Sequence, residues 1–199
     1  SHLFAVLDGV KTDLLSLLPG GYRGELEAVK AEMDNIVGLR EIKDYILSLE
    51  KNYRVQEMRK AQGLPVSGVS MHMIFTGNPG TGKTTVAKMI GKIFHSLGLL
   101  SKGEVIVTER SKMLGRYIGE TEEKMRDLLK EAQGNVLFID EAYTLCKSED
   151  DDRDFGRHAI ESLLTILADE TADILVIMAG YEKEMEQMKK KLSDRFGAI

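Results

Sequence analysis

Two short stretches hold the residues of this sequence that can do chemistry. The first, GNPGTGKTT at 77–85, sets Gly77, Gly80 and Gly82 around a turn that ends in one cation, Lys83, and two hydroxyls, Thr84 and Thr85. Glycines let a backbone wrap closely around an anion with its N–H groups pointing inward, and a helix starting there adds the positive end of its dipole. The order is GxxxxGK[ST], with Asn78, Pro79, Gly80, Thr81 and Gly82 forming the cradle. In such a turn Lys83 serves the β- and γ-phosphates, the Thr84 hydroxyl is a ligand for Mg²⁺, and Thr85 supports the same cluster. The second stretch is VLFIDE at 136–141. Two adjacent carboxylates at the end of an apolar run are costly unless a cation meets them. Asp140 is therefore expected to orient Mg²⁺, directly or through water, and Glu141 to polarise a water for in-line attack on the γ-phosphate. The expected ligands are a nucleotide carrying β- and γ-phosphates and Mg²⁺, and the expected reaction is attack of water on the γ-phosphate.

Both stretches need strands to carry them. MHMIF, EVIVTE, NVLFID and ILVIMA are short apolar runs, and KTTVAKMIGKIFHSLG, TEEKMRDLLKEAQG and HAIESLLTILAD between them have helical spacing. In the middle helix Met125, Leu128, Leu129 and Ala132 share a face, acids crowd the start and Gly134 marks the end. This alternation predicts an α/β fold, a three-layer sandwich with a parallel sheet covered on both sides. The glycine turn then joins a strand to a helix, which is the context a phosphate site requires. Upstream, Leu3, Leu7, Val10, Leu14 and Leu17 stripe an amphipathic helix that stops at PGG. A second short helix is expected through ELEAVKAEM. A longer one carries Ile42, Tyr45, Ile46, Leu49 and Tyr53 on one face and ends near Gly63 and Pro65. Residues 1–34 read as an N-terminal helical extension and 35–199 as the main domain.

Composition excludes several function classes. A chain of 199 residues, 43% hydrophobic and 30% charged, is sized for one core with a small appendage. Its 27 basic and 32 acidic residues give a net charge of −5, without the basic face that nucleic-acid binders display. No apolar run approaches the ~20 residues that span a bilayer and no signal pattern opens the chain, so no membrane insertion and a cytoplasmic location are expected. A single cysteine, Cys146, suits a reducing compartment, and His2, His72, His95 and His158 show no metal-ligand spacing. The run SEDDD at 148–152 reads as a solvated loop. A first residue of Ser and an abrupt end at DRFGAI suggest an expressed fragment.

Over residues 35–196 the motifs resemble those of the AAA+ ATPases, in particular the group containing red-type Rubisco activase and stage V sporulation protein K. The resemblance is carried by HMIFTGNPGTGKTTVAK, LGRYIGETEEKMRDLL, VLFIDEAYTL, DFGRHAIESLL and VIMAGYEKEM, in order and at similar spacing. It implies the large subdomain of that fold, truncated near the fifth strand and without the small helical lid. It implies that Ile36, Val37 and Gly38 lie against the adenine. It also implies that Tyr117 and Ile118 belong to a loop gripping a client polypeptide in the pore of a ring of identical subunits, usually six. Without the resemblance, Tyr117 would be a loop residue packed on the sheet rim. CKSEDDDRDFG corresponds to a second pore-side loop. Arg195 matches the arginine that reaches a neighbouring subunit's γ-phosphate; read alone, it is a surface charge. Two departures stand out: Gly180 occupies the place of a polar sensor residue, and MEQMKKKLSDRF lacks the Asn-Pro-Gly that precedes the arginine in relatives.

The expected function is an ATP-driven remodeller of a client protein. The alternative is a nucleotide-dependent scaffold that recruits a partner through the leucine-striped N-terminal helix and hydrolyses little. A DNA-associated member of the family is disfavoured by the acidic balance.

Overall fold

Four strands, β1 (Met73–Thr76), β2 (Val105–Thr108), β3 (Val136–Ile139) and β4 (Leu175–Gly180), pair in parallel in the order β1-β4-β3-β2. The computed structural model describes residues 28, 31, 48, 51–52, 54–56, 58–65, 72–78, 80, 82–146, 155–169 and 172–196. The chain divides into two compact units, residues 1–66 with 92–99 and residues 67–91 with 100–199, and the sheet belongs to the second. Register is set by Met73 opposite Ile177, Val136 opposite Leu175 and Val105 opposite Val136. Every residue of the two central strands is buried. Their runs, VLFI and LVIMAG, are continuously apolar because helices cover both faces. The edge strands are partly open, and Val107 on β2 is exposed.

Among the described residues after β1, five helices are present: α1 (Lys83–Ser96), α2 (Arg110–Met113), α3 (Ile118–Glu131), α4 (Phe155–Ala168) and α5 (Glu182–Phe196). A 3-10 turn, Ala142–Cys146, comes straight after β3. On one face of the sheet Leu137, Ile139, Val176 and Met178 join a single core with Met125 of α3, Leu163 of α4 and Met185 of α5. Alternation sends Val136 to the other face, where Gly91 of α1 lies close enough that a β-carbon there would sit 3.2 Å from its Cγ2. Burying a leucine or isoleucine in this way stabilises the fold by about 1.5–3 kcal/mol each.

Boundaries differ from the sequence expectation in places with a physical reason. The third helix starts at Ile118, three residues before Thr121, because the Glu120 and Thr121 side chains accept backbone N–H groups of the preceding loop. The fourth starts at Phe155 rather than His158. α5 was not anticipated. Its sequence is dominated by charge, yet Met185, Met188 and Leu192 at helical spacing are all buried. In the first unit, the helix that includes residues 58–61 ends as expected near Gly63: Gly63 takes φ +68°, its N–H donates to Lys60 O at 3.0 Å, and Leu64 N–H donates to Arg59 O at 2.9 Å. The N-terminal stripe, Leu3 to Leu17, lies outside the described residues.

At the foot of β1 the Nδ1 of His72 accepts the Val176 N–H at 3.0 Å. Accepting that N–H requires an unprotonated Nδ1, and the ring also bonds the Ile166 backbone. Burial pushes the His72 pKa below the ordinary imidazole value, with the Ile166 bond acting the other way. A side chain thus takes the place of a strand carbonyl at the base of the strand that leads into the glycine turn.

Candidate functional site

Parallel strands place their chemistry beyond their carboxyl ends, and three of them do so here. The glycine turn follows β1, Asp140 and Glu141 follow β3, and Gly180 and Tyr181 close β4 between them. Gly77 N–H donates to Gly180 O at 3.2 Å, which seats the glycine turn against the end of β4. Gly77, Gly80, Gly82, Lys83, Thr84, Phe138, Asp140, Glu141, Gly180 and Tyr181 line an open cavity of about 350 Å³, within the range of small-molecule sites.

Gly80 and Gly82 take φ of +75° and +83°, where a β-carbon is penalised, so the turn's curvature depends on them. α1 begins directly at Lys83, aiming its N-terminal N–H groups into the cavity wall. The Lys83 ammonium donates to Gly77 O at 2.9 Å and Asn78 O at 2.8 Å, curling back over the turn that it terminates. Those two carbonyls hold the charge over the cradle.

On the opposite wall Glu141 is exposed and has φ +47°, a left-handed conformation that is rare for a residue other than glycine. Local bonds hold it there. Its N–H donates to Asp140 Oδ1 at 3.0 Å, and its carbonyl accepts Thr144 N–H at 2.9 Å and Thr144 Oγ1 at 2.7 Å. Backbone strain of about 1–3 kcal/mol, maintained by neighbouring bonds, is characteristic of functional turns.

Gly180 at the end of β4 has little room for a side chain. A β-carbon there would lie 2.7 Å from Met185 Sδ and 2.8 Å from Tyr143 Cδ1. Tyr143 and Tyr181 lean together with ring centroids 6.0 Å apart, and Tyr181 is one of the residues lining the cavity. Burial raises the Tyr143 pKa above its ordinary value, reinforced by the neighbouring Glu141 carboxylate, so this phenol stays protonated. Sequence reasoning left Phe138 out of the site, and reached Gly180 and Tyr181 only through the family resemblance. Their signal was positional, since each sits at the carboxyl end of a central strand.

The structure brings Gly80, Gly82, Lys83, Thr84, Asp140 and Glu141 to one cavity. Thr85 begins α1 beside them but is exposed outside the cavity lining, and Asn78 lies in the turn. Ile36, Val37, Gly38, Pro79 and Thr81 lie outside the described residues, as does most of the second loop, 147–154. The backbone of Arg195 is in the last turn of α5, and its side chain is outside the described set. Tyr117 and Ile118 are away from the cavity lining, 65% and 43% exposed, at the start of α3. The exposure of Tyr117 departs from the rim-packing role it would have without the family resemblance.

Beneath them the loop is fixed. Gly115 N–H donates to Thr121 Oγ1 at 2.9 Å, Arg116 N–H to Glu120 Oε2 at 2.6 Å, and Lys124 Nζ to Leu114 O at 2.9 Å. The Arg116 N–H bond, with Lys124 beside it, holds the Glu120 carboxyl below its ordinary pKa.

A parallel sheet with a glycine turn after its first strand and paired acids after its third defines a P-loop nucleotide-binding fold. More narrowly, residues 73–199 match the model of the AAA family, the ATPases associated with various cellular activities, and the chain belongs to that family. It is 44% identical over 163 residues to stage V sporulation protein K of Bacillus subtilis, covering 82% of this chain and 50% of that protein. It is 40% identical over 164 residues to a chloroplastic ribulose bisphosphate carboxylase/oxygenase activase of Cyanidioschyzon merolae, covering 82% and 56%. It is 43% identical over 159 residues to CbbX of Cereibacter sphaeroides, covering 79% and 51%. The chain spans about half the length of these relatives. No described helix is long and apolar enough to cross a membrane.

Proposed function

We propose that this chain binds ATP with Mg²⁺ in the cavity between the glycine turn and Glu141, hydrolyses it, and uses the cycle to remodel a client protein as one subunit of a ring. The observation that carries the reading is the convergence of Lys83, Thr84, Asp140 and Glu141, from two separate motifs, on one cavity. Lys83 is poised to exchange its two turn carbonyls for β- and γ-phosphate oxygens. Thr84 and Asp140 offer one hydroxyl and one carboxylate, hard oxygen donors of the kind that hold Mg²⁺ together with phosphate oxygens and water. Mg²⁺ when bound neutralises charge on the phosphates. Glu141, held by its strained turn, takes a proton from the attacking water. Tyr181 supplies a polar contact where Gly180 has no side chain.

Arg195 is assigned to a neighbouring subunit's γ-phosphate, where a guanidinium stabilises the transferring phosphoryl. Tyr117 and Ile118 grip the client: an exposed aromatic and an aliphatic on a fixed loop make a sequence-tolerant contact. A relative named as an activase of ribulose bisphosphate carboxylase/oxygenase supports a protein client as the general class.

The test is steady-state ATP hydrolysis per chain across a wide range of protein concentration, with Lys83→Ala as background. The proposal expects a specific rate that climbs with concentration, because the arginine acts in trans. A rate above background that stays flat with dilution contradicts the shared site.

A further inference from the structure

The hydrolysis turn and the Tyr117 loop are joined by a hydrogen-bonded path through one side chain that neither motif contains. Arg110 opens α2, directly after β2, and its Nη1 donates to the carbonyl of Thr144. Thr144 is the residue whose N–H and hydroxyl both hold the Glu141 carbonyl, at 2.9 and 2.7 Å. At its other end Arg110 O accepts Leu114 N–H at 3.0 Å, and Leu114 O accepts the Lys124 ammonium that also pairs with Glu120 at 3.5 Å. Glu120 in turn holds Arg116 N–H, next to Tyr117. Gly115 has no room for a side chain here, since a β-carbon would meet Glu120 Cβ at 2.5 Å, so the loop follows α3 closely.

We infer that Arg110 is a positioning residue that couples the Glu141 turn to the client-facing loop, so that a change of nucleotide at one is felt as a change of order at the other. The inference rests on the proposed nucleotide site and client loop. Three features make the link mechanical. The guanidinium is half-buried, α2 has only four residues and ends in the loop itself, and Glu141 sits in a strained conformation whose release would move Thr144. A contiguous path becomes a coupling only if a two-state element biases both ends, and the inference assigns that role to the left-handed Glu141 turn.

The test is amide hydrogen exchange of 114–121 and 140–146 in wild type, Arg110→Met and Arg110→Lys, each with Mg·ADP and with Mg·ATPγS. Binding of both nucleotides is measured in parallel by titration. Methionine keeps the apolar stem while removing every donor, and lysine keeps the charge without the fork. In wild type both segments are expected to differ between the two nucleotides. In Arg110→Met, 140–146 keeps its difference while 114–121 loses at least half of its own, and lysine restores it in part. Faster exchange that is equal in both nucleotide states would mark a merely structural role and overturn the inference. So would a wild-type-sized difference at 114–121 in Arg110→Met, or no difference in wild type despite measured binding. Failure to bind either nucleotide would instead remove the site on which the inference rests, and the two failures are told apart by the titration.

Discussion

The glycine turn after β1 and the Tyr117 loop before α3 are built on the same plan, a few residues leading into a helix, and they display opposite things. The turn is concave: Gly80 and Gly82 at positive φ curve its backbone around a cavity, and its own lysine is folded over it. The loop is convex: its backbone N–H groups are taken up by Glu120 and Thr121 of the helix that follows, and two apolar side chains point out. In the first the backbone does the recognising and side chains are kept small. In the second the side chains make the exposed surface and the backbone is tied down. Glycine serves both, for conformation in one and for close approach in the other.

That contrast explains what could be read in advance. A turn whose work is done by backbone geometry dictates glycines at fixed intervals, so GNPGTGKT was legible as a phosphate site from residue types alone. So were Asp140 and Glu141, because charge at the end of an apolar strand demands a partner, and so was the parallel sheet. Nothing in the types Arg-Tyr-Ile-Gly distinguishes an exposed loop from one packed on the rim; the family resemblance, not spacing, pointed to it. α5 was missed because two methionines and a leucine among charges make a weak stripe, although their burial is nearly complete. Gly180 and Tyr181 were reached only through the resemblance, because their place at the cavity comes from strand order, β4 lying between β1 and β3, which the sequence does not print. Arg110 reads as one surface charge among many until the structure sets it beneath Thr144.

The contrast can be broken most severely at the catalytic side of the cavity. Glu141→Gln should lower ATP turnover by about 10²–10⁴-fold while nucleotide affinity is kept, measured by single-turnover hydrolysis alongside equilibrium binding. Lys83→Ala removes the charge from the concave turn and should weaken nucleotide binding about tenfold to a hundredfold, without touching Tyr117 exposure. Thr121→Val attacks the convex loop instead. It deprives Gly115 N–H of its acceptor at a side chain that is fully buried, and should cost about 1–3 kcal/mol in denaturant unfolding. Nucleotide affinity should be unchanged in that variant.

Acid separates the two regions with the smallest effect. The folded pKa of His72 is depressed, so its contribution is complete above the unfolded value of 6.5 and is lost as pH falls from there through the folded value. Glu120 is also depressed, but from 4.5, so its tie to the Tyr117 loop persists until pH falls below the ordinary carboxylate range. Amide exchange should therefore loosen around β1 before it loosens around 114–121 as pH is lowered. His72→Phe should flatten the first step and leave the second in place.

The central claim is that the cavity between the glycine turn and Glu141 is a nucleotide site. Calorimetric titration with Mg·ATPγS, on wild type and Lys83→Ala, tests it most directly. The account predicts one site per chain in wild type and binding at least tenfold weaker in the variant. No binding to wild type, or equal affinity in both, would contradict it.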